Sequence, residues 1–263
     1  MKKRDGRIIA AENEMRVLRS LHRFGWLRSR DLAALRQRWL SRPVGEPDFE
    51  PVVATASALR MVQRTLRRLI ASRQVLRGQA PNGSALYALA EAGARRLRCA
   101  GVSASSGKDL IRSFSAAQFL HRSIANQIAI HGIVSGYKVS TEREVACDKW
   151  LGSTVGIGGK KPDVLLLSDR KIWWVEVEKS RKNANDYRRL LDWLCKIAVD
   201  ASRPSGPLLL SDDLRWARIV FVCAPAFEAR LCRDLESAGW TKNLISNLIM
   251  FRLLYVSQDI NFS

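Results

Sequence analysis

The sequence is poor in several things, and each shortage narrows what the chain can be. No stretch approaches the roughly 18 uninterrupted apolar residues that read as a membrane span, and the basic start MKKRDGR is not followed by the apolar core of a secretory signal. The expectation is a cytoplasmic chain with no membrane partner. Histidine occurs three times, as His22, His121 and His131, and none of the three has ligand spacing. Core or surface roles suit them better than a metal centre. The five cysteines are an odd number, stand far apart and form no CxxC pair, so neither a disulfide framework nor a zinc module is indicated. Eight prolines, eight tryptophans and a 47% hydrophobic share exclude a largely disordered or collagen-like chain.

Acidic residues are the most informative shortage. Across 263 residues, 25 Asp and Glu face 44 Lys and Arg, a formal charge of +19. Such a surplus suits a polyanionic partner, nucleic acid first. It is also uneven: residues 1–108 hold 22 basic and 8 acidic side chains, a net of +14, and the rest of the chain carries only +5. The Gly/Ser-rich run Ala100–Gly107 separates the two parts and has too little apolar content to join a core. The domains expected are therefore 1–100, a linker at 101–110, and 111–263.

In the front part, Met15, Leu18, Leu21 and His22 recur at helical spacing, and Ser29 reads as the N-cap of a short helix ahead of Leu32. Residues 36–51 read as a polar loop or an insertion with a short helix. From Ser57 to Ile70 the spacing says more. At about 100° per residue, Leu59, Val62, Leu66, Leu69 and Ile70 form one stripe, with Arg60, Arg64, Arg67 and Arg68 on the opposite side. Val75–Arg77 and Ala85–Leu89 form a hairpin across Pro81-Asn82-Gly83, and a further helix opens near Leu89.

Helix, short helix, basic helix and hairpin in this order resemble a winged helix-turn-helix domain, as does the run YALAEAGARRL. The resemblance implies that the basic helix enters the major groove of double-stranded DNA and that the hairpin touches the backbone. A winged helix used only for protein contacts is the alternative.

The back part begins with a helical pattern from Ser113 to Ile133 and a strand around Tyr137–Val145. Val164–Leu167 and Ile172–Glu178 are apolar runs separated by Ser168-Asp169-Arg170-Lys171, and they pair as a hairpin across that four-residue turn. With Leu167 facing Ile172, antiparallel register sets Asp163 opposite Glu176. Period-two alternation adds Glu178 to the same face and turns Lys179 away. Carboxylates brought together in this way need a compensating cation. With oxygen-only donors that cation is Mg²⁺ or Mn²⁺. Such an ion polarises a phosphoryl oxygen and lowers the pKa of a bound water, the means by which many enzymes cut phosphodiesters.

Pro162-Asp163 followed by Glu176-Val177-Glu178-Lys179, thirteen residues after the Asp, resembles the PD-(D/E)XK nuclease core. With the front part it resembles the replication-relaxation family of plasmid and integrative-element proteins and the related C-class mobilisation relaxases. That resemblance implies an α/β chain: an N-terminal winged helix-turn-helix and a C-terminal restriction-endonuclease-like αβββαβ core. Asp163 and Glu176 then hold the metal, Glu178 orients or deprotonates the attacking water, and Lys179 meets charge on the phosphate. Lys160, Lys161, Arg181 and Lys182 are further candidates for contact with DNA.

Glu178 stands where the usual motif has lysine, a departure shared with E-x-E variants among active restriction-type nucleases. Three functions stay open: a metal-dependent DNA endonuclease or nicking protein of a mobile element; a replication or transcription regulator with a nuclease-like domain that does not cut; and a transposition endonuclease subunit. A second copy of the chain or partner proteins of the same element accompany DNA as expected partners. Tyr187 lies on one apolar stripe with Leu190, Leu191, Leu194, Ile197 and Ala198, which places it in the core and not as a nucleophile. Trp173 and Trp174, on opposite faces of their strand, read as packing. Strands from Arg218 and Leu248 and a helix from Phe227 complete the expected core.

Overall fold

The computed structural model describes residues 5–37, 39–112, 115–178, 183–211 and 213–253. The chain is mixed α/β and divides by its contacts into two units. Of the described residues, the first takes those up to Leu40 together with Glu50–Val134, and the second takes Ser41–Phe49 with 135–253. Among the described residues no helix is long and apolar enough to cross a membrane.

The first unit opens with helix α1 (Gly6–Phe24). The Asp5 side chain accepts from the Arg7 N–H at its start, and Gly25, at φ 81, ends it by donating back to the Leu21 carbonyl. A left-handed φ is what glycine tolerates without strain. Strand β1 (Trp26–Leu27) and helix α2 (Ser29–Ala34) follow. Here the expected cap is corrected: Arg28, not Ser29, is the N-cap, and the Asp31 carboxylate takes both its backbone N–H and its guanidinium. Residues 39–51 contain no helix among those described.

Helix α3 (Ala56–Ala71) starts at Thr55, whose hydroxyl accepts from the Ala58 N–H. Strands β2 (Val75–Gln79) and β3 (Ala85–Leu89) pair antiparallel with Val75 facing Leu89, and β1 adds to the free side of β3. Helix α4 (Glu91–Cys99) follows.

The linker expected at 101–110 is not a free tether. Ala104 is buried, the Gly107 N–H donates to the Leu89 carbonyl, and Arg98 donates to the Ala104 carbonyl. Leu110 and Ile111, in a 3-10 turn (Lys108–Ile111), pack on the Trp26, Leu86, Ala88 and Phe119 cluster. Helix α5 (Ala116–Val134), expected with the back part, counts with the first unit because Phe119 stacks on Trp26 with ring centroids 5.6 Å apart and Asn126 donates to the Trp26 carbonyl. The boundary by contacts therefore falls between Val134 and Ser135.

The second unit is built on a five-stranded sheet in the order β4-β5-β6-β7-β8. Strand β4 (Lys138–Ser140) is shorter than expected, because Thr141 caps helix α6 (Glu142–Ala146) in a reciprocal capping box with Glu144. Strands β5 (Val164–Ser168) and β6 (Lys171–Glu178) form the hairpin, with Leu167 opposite Ile172 as the pattern required. Its turn is tighter than the four residues expected. Asp169 and Arg170, at φ 46 and 64, are the only unpaired positions between the facing residues Ser168 and Lys171. Two left-handed residues match the twist of a two-residue hairpin.

Helix α7 (Ala184–Ala201) leads to β7 (Arg215–Cys223), which runs parallel to β6; α8 (Pro225–Ser237) and α9 (Lys242–Leu248) then lead to β8 (Ile249–Leu253), parallel to β7. Helix α9 was not read from the sequence. Central strand β6, antiparallel to β5 and parallel to β7, is buried from Ile172 to Glu178. One face carries Leu165, Ile172, Trp174, Ile219 and Phe221 against Leu190, Trp193, Leu194 and Ile197 of α7. Tyr187 belongs to this core, and its hydroxyl donates to Asp234 at 2.8 Å.

Candidate functional site

Two places carry the residues of interest, one in each unit. In the first unit, α3 buries Val62, Thr65, Leu66 and Leu69 and leaves Arg60, Arg64, Arg67 and Arg68 exposed. The row is not uniform. Arg68 Nε lies 3.1 Å from Glu14 Oε1, while Arg96 holds the other oxygen of that carboxylate at 3.0 Å. Arg68 is thus tied to α1. Arg77, on the neighbouring hairpin strand β2, is exposed as well and was not singled out in the sequence, where it sits in a short run with no helical phase to mark it.

In the second unit the carboxylates are positioned by the hairpin ladder. The strand pairing ends at Val164 with Val175, and the Asp163 N–H donates to the Val175 carbonyl at 3.0 Å, one residue out of step with the register that would set Asp163 opposite Glu176. Asp163 Oδ2 accepts from the Val177 N–H at 2.7 Å, which orients its carboxylate along the strand edge. Glu176 and Glu178 are 4% and 6% exposed. Both alternate with buried Trp174 on the face that α7 covers.

What meets Glu176 was not legible in the sequence. Its Oε2 pairs with the Lys160 ammonium, and its Oε1 accepts from the Trp174 indole N–H at 2.5 Å. Lys160 also stands 5.6 Å above the Trp193 ring. A glycine turn delivers it: Ile157 and Lys160 bridge to each other across Gly158 and Gly159, at φ 62 and 86, and the Trp193 indole N–H clamps the Ile157 carbonyl at 2.9 Å. Neighbouring Lys161 points elsewhere, to Asp148 at 2.7 Å. Of the two lysines read as DNA contacts, one therefore faces the carboxylates and the other an exposed acid. The run Gly156-Ile157-Gly158-Gly159-Lys160 was the available signal, but a two-residue glycine turn can aim its flanking side chain in any direction until the rest of the chain is in place.

Burial pushes the Glu176 carboxyl above its usual range; Lys160 and the Trp174 N–H act in the opposite sense, and Asp163 adds to the rise. Glu178 lies in register with Cys223 of β7. The Cys223 thiol is pushed up to about 12 by burial, with the charges of Glu228 and Glu178 adding to it. Lys179, Arg181 and Lys182 lie outside the described residues.

Carboxylate oxygens are the donors that hard divalent ions take, and Mg²⁺ is commonly held by one or two carboxylates with waters and substrate phosphates completing its shell. Asp163 and Glu176 are donors of that type, but the Lys160 ammonium and the Trp174 N–H already engage both oxygens of Glu176, so an ion there would have to displace Lys160. Among the described residues, no group of three or more His, Cys, Asp or Glu side chains is placed to hold a metal ion.

Comparison of the chain with family models, with curated proteins and with solved structures finds no match.

Proposed function

We propose that the protein binds double-stranded DNA through its first unit, acting as a winged helix-turn-helix with α3 in the major groove and the β2–β3 hairpin beside the backbone. The observation that carries this reading is the division of α3 into a buried apolar stripe and an outward arginine face. Guanidinium groups match both phosphate oxygens and the edge of guanine. Helices α1 and α2 and strand β2 pack against α3. The test is fluorescence anisotropy with duplex DNA over a range of salt. Counterion release predicts a log–log slope of about −0.9 for each phosphate engaged. Salt-independent or undetectable binding would end the proposal.

A second reading is favoured by a separate observation, the Asp163 carboxylate held on the Val177 N–H close enough to Glu176 for its charge to act there. On this reading the second unit is a PD-(D/E)XK-like core, and the protein is an endonuclease or nicking protein of a plasmid or integrative element. Asp163 and Glu176 would hold Mg²⁺ or Mn²⁺, which supplies Lewis-acid stabilisation of a phosphoryl oxygen. Glu178 takes the part of a proton acceptor. Lys160 brings to Glu176 the ammonium that the usual motif carries at the position of Glu178. Supercoiled plasmid carrying the element's own origin, incubated with Mn²⁺, is nicked by the native protein and not by Asp163→Ala. Equal nicking by both removes this reading. Nicking by neither, with DNA affinity intact, leaves a regulator that docks on DNA without cutting it.

A further inference from the structure

A cavity of about 520 Å³ opens in the first unit between α1, the end of α2 and the segment that follows it. Its size is ordinary for a small-molecule site, which typically spans roughly 300–1,000 Å³. The floor is apolar: Val17, Phe24, Leu32, Leu35 and Ile133 are all buried, and Trp39 stands at the mouth with half its surface exposed. The Trp39 indole N–H donates to the Leu35 carbonyl at 2.9 Å, which fixes the ring beside the opening.

The walls are cationic. Arg16, Arg19 and Arg23 come from α1 and Arg36 from the segment after α2, and no Asp or Glu is among the described lining residues. Arg36 is held from below by Asn13, itself 7% exposed, whose Oδ1 accepts from Nη1 at 2.6 Å. Burial, and then the charge of Arg16, lower the pKa of Arg36. Like charges on the wall of a half-enclosed apolar hollow are costly until an anion lies between them. A bare inorganic anion would leave the floor uncovered, and a neutral apolar molecule would bring no charge to set against Arg16 and Arg36. A duplex phosphate brings charge but no apolar body.

We propose that this cavity binds a small organic anion, its flat or short apolar body on the Val17–Leu35 floor and its acidic group against Arg16 and Arg36. The inference does not depend on DNA binding or on cleavage.

The probe is anilinonaphthalene sulfonate, an aromatic anion that fluoresces in apolar sites, titrated into the full chain beside its neutral analogue phenylnaphthylamine. The result expected is one saturable sulfonate site per chain, about tenfold tighter than the neutral dye. Arg16→Glu, at an exposed position, should weaken the sulfonate about tenfold while leaving the neutral dye and the unfolding temperature unchanged. Ser20→Trp, which fills the hollow, should remove both dyes. Equal affinity for the two dyes, indifference to Arg16→Glu, or full sulfonate binding in a folded Ser20→Trp protein would each overturn the proposal. If Ser20→Trp does not fold, Arg16→Glu decides alone.

Discussion

The Lys160 ammonium pairs with the Glu176 carboxylate at the covered end of β6, and the indole of Trp174, two residues back on the same face, holds the other oxygen of that carboxylate. Lys160 keeps 24% of its side chain exposed and Glu176 only 5%. The acid is therefore the partner that cannot be rescued by water. Among the described residues, the cation paired with it stands on a glycine turn and not on the sheet.

Removing that cation should be costly. Lys160→Met leaves an uncompensated carboxylate in the core, and breaking a buried pair costs about 3 kcal/mol or more. Urea unfolding measures it. Adding Glu176→Gln to Lys160→Met should restore a large part of the loss, because the remaining amide no longer carries the charge. If the double variant is as unstable as the two single losses summed, the pair is not coupled.

The turn beneath Lys160 gives a second test. Gly158 has φ 62, and an added Cβ would meet Trp193 Nε1 at 3.2 Å. Gly158→Val combines a strained left-handed β-branched residue with that contact, and a loss of about 2 kcal/mol is expected by thermal or denaturant unfolding. Gly159, also left-handed but with open space around its Cβ position, should tolerate Asn at less than 1 kcal/mol.

The arginine face should not respond uniformly to substitution. Arg64→Ala and Arg67→Ala should each reduce DNA affinity and, where a phosphate contact is lost, make the salt slope shallower by about 0.9. Arg68→Ala should weaken DNA binding less, because its guanidinium is engaged by Glu14. Anisotropy titrations at three salt concentrations separate the cases. Equal effects at all three positions would show that Glu14 releases Arg68 on binding.

The cysteines should differ in reactivity. At pH 8, a thiol reagent should label exposed Cys99 and Cys147 in the native protein and leave buried Cys223 unmodified until the chain unfolds. Mass spectrometry of the labelled peptides reads this directly. The linkage has a definite sign. Folding raises the Cys223 pKa from 9.0 to about 12, so between those values the unfolded chain loses a proton that the native chain keeps. The stability contributed by the protonated thiol is complete below pH 9 and is lost as pH rises toward 12. Cys223→Ala should flatten that part of the stability profile.

Periodicity along single segments was enough to order the arginines opposite Val62, Leu66 and Leu69, because helical phase is a property of the segment alone. The same holds for most of the β5–β6 hairpin. Once Leu167 faces Ile172, antiparallel geometry fixes the pairing as far as Val164 and Val175, but Asp163 then bonds to Val175, one residue out of step. Tyr187 was placed by the same phase argument. Tertiary structure decided what those residues meet. Lys160 reaches Glu176 only because a left-handed Gly158-Gly159 turn is clamped by Trp193 from a distant helix, and Arg68 meets Glu14 only because α1 packs beside α3. The run from 101 to 110 lacks the apolar content that marks a core segment, yet Ala104 and Gly107 are buried, Gly107 donating to the Leu89 carbonyl at the end of β3 and the Ala104 carbonyl accepting from Arg98. Charge pairing and burial of this kind depend on segments far apart in the chain. No local pattern records them.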